Sequence, residues 1–171
     1  MNNRVPTVTP ARTQLTVELG RSQNRSPFSQ LRMRVNKRAT ANSSMATLEQ
    51  SVFQQINQYR QQRGLAPLTR NATINQQARQ HSQNMANSRT LSHNGFSARI
   101  QTIGKTIPYR AAAENVAYNA GFSNPAAQAV NGWLKSSGHL RNIMGNYNLT
   151  GIGVAKNSQG EFYFTQIFIR R

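Results

Sequence analysis

Four side chains in this 171-residue chain could bind a metal or move a proton within one acid-poor stretch: His81, His93, Glu114 and His139. Glu114 is the only acidic residue between Gln50 and Gly160, with Ala111-Ala112-Ala113 before it and Asn115-Val116-Ala117 after it. A carboxylate set among apolar neighbours must be paired, protonated or bound to something. The plain reading is a buried ion pair or a backbone-bonded carboxylate; the chemical reading is a ligand or an acid-base group. His93 falls in Leu91-Ser92-His93-Asn94-Gly95 and His139 in Ser137-Gly138-His139-Leu140-Arg141-Asn142. Both segments look turn-like, and loops often present functional side chains. Two histidines and a carboxylate could hold a divalent metal such as zinc, although their spacing matches no local metal motif. His81 sits at helical spacing among apolar residues and reads as a core or boundary histidine. Ser92 beside His93 suggests a serine nucleophile, but sequence neighbours rarely align as nucleophile and base.

The elements that must position these groups are legible from periodicity. Thr47 followed three residues later by Gln50 fits a capping box. Leu48, Val52, Phe53, Ile56 and Tyr59 then share one helical face, and Gly64 stops the helix. A second helix is expected from about Asn71 to Asn87, with Ile74, Ala78, His81 and Met85 on its inner face. A third begins at Asn124-Pro125, a cap followed by proline at the first helical position, and buries Ala126, Val130, Trp133 and Leu134. Strands are expected over Ala113 to Tyr118, Thr150 to Lys156 and Glu161 to Ile169, the last two joined by the turn Asn157-Ser158-Gln159-Gly160. Phe162, Phe164 and Phe168 alternate with Tyr163, Ile167 and Ile169, so the last strand is apolar on both faces and should be central. The fold class that follows is α+β, a three-layer α-β-α sandwich with a small antiparallel sheet.

Charge sets the first 46 residues apart. The chain carries 21 Lys and Arg against 4 Asp and Glu, a net of +17. Residues 1–44 hold Arg4, Arg12, Arg21, Arg25, Arg32, Arg34, Lys37 and Arg38 against Glu18 alone. Residues 1–46 therefore read as a basic, low-complexity tail, disordered by composition. Leu15, Val17, Leu19 and Leu31, Met33, Val35 alternate with period two, so brief strands are the ordered alternative. A basic surface favours polyanions: nucleic acid, anionic polymers or anionic headgroups. The tail has one aromatic, Phe28, where a nucleic-acid platform would interleave several, and no dedicated nucleic-acid motif is present. No apolar run reaches the roughly 18 residues of a membrane span, and no signal-peptide h-region is recognisable. The absence of cysteine excludes disulfides, thiolate zinc sites and cysteine nucleophiles.

Five segments in order carry a resemblance. They are Ser92-His93-Asn94-Gly95, Ala113-Glu114-Asn115-Val116-Ala117, Ala129-Val130-Asn131-Gly132-Trp133-Leu134, Ser137-Gly138-His139-Leu140-Arg141-Asn142-Ile143, and Gly151-Ile152-Gly153-Val154 with Phe164-Thr165-Gln166-Ile167-Phe168. Over residues 47–171 the chain resembles the CAP superfamily of cysteine-rich secretory, antigen 5 and pathogenesis-related class 1 proteins, in its bacterial SCP-like extracellular branch. The resemblance implies an extracellular or cell-envelope location and a cleft shared by His93, Glu114, Asn131 and His139. It implies that this cleft can hold a divalent metal (zinc) through His93, His139 and Glu114, with Glu114 either a direct ligand or a partner fixing one imidazole's tautomer. Asn131 stands where the family's second glutamate falls; an amide can orient a histidine but supplies no charge and no general base. The expected function is a binding module for lipid, glycan or cell-wall-derived ligands. The alternatives are a metal-assisted hydrolase with Glu114 and His139 as candidate catalytic groups, and a polyanion-binding protein contacting anionic surfaces through the basic tail.

Overall fold

The computed structural model describes the backbone of residues 27–171 and the side chains of residues 30–35 and 44–171. Five helices and four strands follow one another in it: α1 (Pro27–Gln62), β1 (Thr69–Arg70), α2 (Ala72–Ser88), α3 (Phe96–Gly104), β2 (Ala111–Asn119), α4 (Pro125–Lys135), α5 (Ser137–Met144), β3 (Leu149–Lys156) and β4 (Phe162–Arg170).

The strands form one sheet in the order β1-β3-β4-β2. β4 pairs antiparallel with β3 on one side and with β2 on the other. Its central place follows from its sequence, since residues 163–169 are buried from end to end. The two-residue β1 runs parallel to β3, so the sheet is not wholly antiparallel as expected. The sheet's two faces hold separate apolar clusters. Val52 and Ile56 of α1, with Ala126, Val130 and Trp133 of α4, pack against Ile152, Phe164 and Phe168. On the opposite face, Ile74 and Ala78 of α2 and Ile100 and Ile103 of α3 pack against Ile167 and Ile169. This is the expected three-layer sandwich.

Several local expectations from the sequence hold in detail. Asn71 caps α2 by accepting from the backbone N–H groups of Thr73 and Ile74, and Asn124 caps α4 by accepting from Ala127. The first helix differs. It begins at Pro27, not at Thr47, and runs through the boundary expected after residue 46. No glycine or proline occurs between Phe28 and Arg63, so nothing interrupts propagation once the turn at Pro27 has formed. Leu31, Met33 and Val35 are accordingly helical rather than extended, and exposed. The pattern at Leu15, Val17 and Leu19 lies outside the described residues. The segment 96–104, assigned to no element from the sequence, is the helix α3, and Ser137–Asn142, read as turn-like, lies in the helix α5.

β2 is an edge strand, and its outward carbonyls are covered rather than left for another chain. The Trp133 indole Nε1 donates to the carbonyl of Val116 at 2.9 Å. The Asn142 amide donates to the carbonyl of Glu114 at 3.3 Å and to Asn115 Oδ1 at 2.8 Å. These bonds lay α4 and α5 along the edge that carries Glu114.

Candidate functional site

Glu114 points from β2 toward the layer formed by α2 and α3, and its side chain is 2 % exposed. Burial of a carboxylate demands partners, and three elements supply them. Arg99, the only charged residue of α3, donates to Glu114 three times: Nε to Oε2 at 3.0 Å, and Nη2 to Oε1 and Oε2 at 2.8 Å each. The His93 Nδ1 lies 3.0 Å from Oε1. His81 of α2 brings its Nε2 to 3.9 Å from the same oxygen.

The loop between α2 and α3 is shaped to present His93. Arg89 closes α2 in the left-handed region at φ 53, and its guanidinium is tied to Glu161, the residue before β4. Gly95, at φ 76, turns the chain into α3, a conformation that costs glycine little. Arg99 stands one helical turn further on and reaches back, donating Nη1 to the carbonyl of Asn94 at 2.7 Å and Nη2 to that of His93 at 3.5 Å. His81 Nε2 donates to the carbonyl of Ser92 at 2.8 Å. The loop is therefore held from both neighbouring helices while the His93 side chain stays half exposed.

His139 approaches from the other layer, on α5 rather than in a turn. The Asn115 amide donates to its carbonyl at 3.1 Å, so consecutive β2 residues position both Glu114 and His139. Burial lowers the His139 pKa from its ordinary value and the nearby charge of His93 lowers it further. Its Nδ1 is buried without a hydrogen-bond partner. Asn131 sits exposed on α4 and is hydrogen-bonded to none of these groups. His81, read as a core histidine, is buried and satisfied, yet it also faces Glu114. Burial is the largest cause lowering its pKa. Arg99 was missed by sequence reasoning; a single cation in an otherwise uncharged, apolar-periodic helix was the available signal.

A metal held jointly by His93, His139 and Glu114 does not fit this arrangement. Both Glu114 oxygens already accept from Arg99, and one also faces His93. Among the described residues, no three His, Cys, Asp or Glu side chains are grouped to hold an ion. Glu114 stands behind His93, in the position of a group that fixes the imidazole's orientation. Ser92 is no better placed as a nucleophile: its hydroxyl accepts from the Asn94 N–H at 3.4 Å, while the His93 Nδ1 is turned to Glu114.

Beside the His93 loop lies a concavity of about 430 Å³. Its walls are His81, Asn84, Met85, Ser88, Thr90, Ser92 and Asn94, so five of the seven lining residues carry a hydroxyl or an amide.

Comparison with known proteins agrees with the motif order. Residues 53–168 match the family model described as CAP, the cysteine-rich secretory protein family. The uncharacterized protein YkwD of Bacillus subtilis is 33% identical over 141 residues, covering 80% of this chain and 52% of that protein. The uncharacterized membrane protein YlbC of the same organism is 31% identical over 131 residues, covering 73% of this chain and 35% of that protein. This chain thus spans about half the length of the first relative and about a third of the second. Among solved structures, an extracellular protein containing an SCP domain from Bacillus anthracis superposes with a TM-score of 0.66 at 28% identity, over 77% of this chain and 43% of that one. An outer surface protein of Borrelia burgdorferi, at 21% identity and a TM-score of 0.61 over 70% of this chain and 89% of that one, shares the fold. The family match, the bacterial SCP relatives and the sandwich with its His93–Glu114 edge together establish that this chain belongs to the CAP family, in its bacterial SCP-like branch.

Proposed function

We propose that this domain is an extracytoplasmic binding module for a glycan-bearing, cell-wall-derived ligand, which docks between the exposed His93 imidazole and the adjoining concavity. The observation that carries this reading is the concavity's lining. Asn84, Ser88, Thr90, Ser92 and Asn94 offer neutral donors and acceptors in both senses, which suits hydroxyl-rich ligands better than acyl chains. An extracytoplasmic setting is inferred from the B. anthracis relative, whose description is of an extracellular protein. No helix among the described residues is long and apolar enough to cross a membrane.

Binding is favoured over turnover because the acids are committed. Each of the three described glutamates clamps an arginine: Glu49 with Arg79, Glu114 with Arg99 and Glu161 with Arg89. None is left facing the concavity as a general acid or base. With 21 Lys and Arg against 4 Asp and Glu, the chain as a whole keeps a large cationic excess, +17 overall. Anionic groups on a wall polymer would therefore add salt-sensitive attraction.

Soluble muropeptides from digested peptidoglycan are the direct probe. Calorimetric titration should show saturable binding that weakens at least tenfold in Asn84→Ala and in His93→Ala. Binding of anionic-lipid vesicles with no response to muropeptides would replace this reading with a lipid one. Muropeptide turnover that disappears in His139→Ala would replace it with a hydrolase.

A further inference from the structure

Glu114 accepts three hydrogen bonds from one guanidinium whose remaining donors reach the carbonyls of the loop carrying His93. The Arg99 side chain is only 10 % exposed and that of Glu114 2 %. A fork-on-fork pair of this kind fixes geometry as well as charge. A buried carboxylate stripped of such a partner is strongly unfavourable, which is also why it would be drawn to any cation available.

We propose that Arg99 is the resident cation of this cleft. It takes up both oxygens of Glu114 and pins the His93 and Asn94 carbonyls, so that Glu114 orients His93 and is withheld from a bound metal. The inference concerns the unliganded cleft; it rests on the binding-module reading only in treating His93 as the presented group. Three geometric facts support it. The bonds of 2.8, 2.8 and 3.0 Å leave little of the carboxylate free. The His93 Nδ1, at 3.0 Å from Oε1, must carry a proton to donate there, so in the neutral ring Nε2 is the bare nitrogen. The bond from Arg99 Nη1 to the Asn94 carbonyl, at 2.7 Å, couples the same guanidinium to the backbone that carries the imidazole. Arg99 is thus a positioning residue, acting through Glu114 and the loop.

Two measurements test this. The first uses the unaltered chain with no ligand: long-range nitrogen–proton NMR of the imidazoles should show His93 with its proton on Nδ1. A proton on Nε2 would overturn the proposal. Because no ligand is present, this result is independent of whether muropeptides bind. The second is a cobalt(II) and zinc titration of the full chain and two variants, with far-ultraviolet circular dichroism to confirm folding. Glu114→Gln should leave metal affinity within about threefold of the parent, since Glu114 is not a ligand. Arg99→Met should free the carboxylate and raise affinity at least tenfold, with stronger cobalt absorption as a carboxylate joins the imidazoles. A merely structural Arg99 would give weaker metal binding or none in the folded variant. Loss of parent binding in folded Glu114→Gln would overturn the proposal, because it would make Glu114 a ligand. If Arg99→Met does not fold, Arg99→Lys takes its place. It keeps the charge but loses the fork, and the His93 proton should then divide between Nδ1 and Nε2. A proton still held wholly on Nδ1 in that variant would count against the positioning role.

Discussion

Gly153 in β3 lies against Ala78 in α2 so closely that a Cβ at position 153 would come within 2.2 Å of the Ala78 carbonyl carbon and the Arg79 nitrogen. These are backbone atoms of a packed helix, which cannot swing aside. Gly153→Ala should therefore push α2 off the sheet and destabilise the protein by about 3 kcal/mol, the upper end for overpacking. Gly132 supplies the control. It sits in α4, where an added Cβ would meet nothing within 4 Å, so Gly132→Ala should be neutral or stabilise by up to about 1 kcal/mol. Urea unfolding of the two variants checks the pair. Equal stabilities would show that the α2–β3 contact is not as tight as the geometry requires.

Glu49 of α1 is the second buried carboxylate, 1 % exposed, and it joins three elements. Arg79 of α2 donates to it at 2.8 and 2.6 Å, and Arg70 of β1 at 3.3 Å. The Arg79 pKa is raised, chiefly by this hydrogen bonding. Glu49→Ala should cost about 3 kcal/mol, at the low end for breaking a buried pair, since Arg79 is half exposed and can rehydrate. Arg79→Ala should cost less, because Arg70 remains to the carboxylate. A double-mutant cycle by chemical denaturation would show this; coupling below about 0.5 kcal/mol between the two positions would remove the clamp from the account.

Glu161 gives the fold an acid limit. Hydrogen bonding from Arg89, then from Asn157, lowers its pKa from the ordinary 4.5 to about 2. A carboxylate with a depressed folded pKa contributes stability that is fully present above its unfolded value and is lost as pH falls through the folded one. The melting temperature should thus decline between about pH 5 and about pH 2, and Arg89→Gln should flatten that part of the profile. A variant profile parallel to that of the parent across this window would assign acid sensitivity elsewhere.

His139 works in the same sense at higher pH. Burial first, and His93 second, push its pKa down. The unfolded chain therefore binds a proton more readily than the folded one, and stability falls as pH drops below the ordinary histidine value of about 6.5. Proton-detected NMR of the imidazole Cε1 signals should show the midpoint of His139 below that value. A midpoint above it would mean that a carboxylate, rather than burial and His93, governs this ring.

The predicted and observed elements differ where local signals compete with context. Asn124 caps its helix as read, and Asn71, read only as the start of its helix, caps it too, because a cap is a contact between near neighbours and needs nothing from the rest of the chain. Thr47-Leu48-Glu49-Gln50 carries an equally good capping pattern, yet it lies inside α1. A cap forms only where the preceding residue leaves the helix, and no breaker stands upstream before Pro27. The helix α5 escaped notice because its eight residues bury Ile143 alone fully, too little periodicity to see. The helix α3 escaped for a similar reason, with only Ile100 and Ile103 buried.

By itself, the sequence determined the sandwich, the central place of β4 and the family, and it singled out His93, Glu114 and His139 as candidates, because burial periodicity and ordered motifs are properties of residue type and spacing. What only the tertiary structure decided is what those three residues are free to do. Arg99 is fifteen residues from Glu114 and on another element, and no pattern along the chain predicts their pairing. That pairing follows from packing α3 against the face of β2 that carries the carboxylate, where burial compels the nearest cation to complete it.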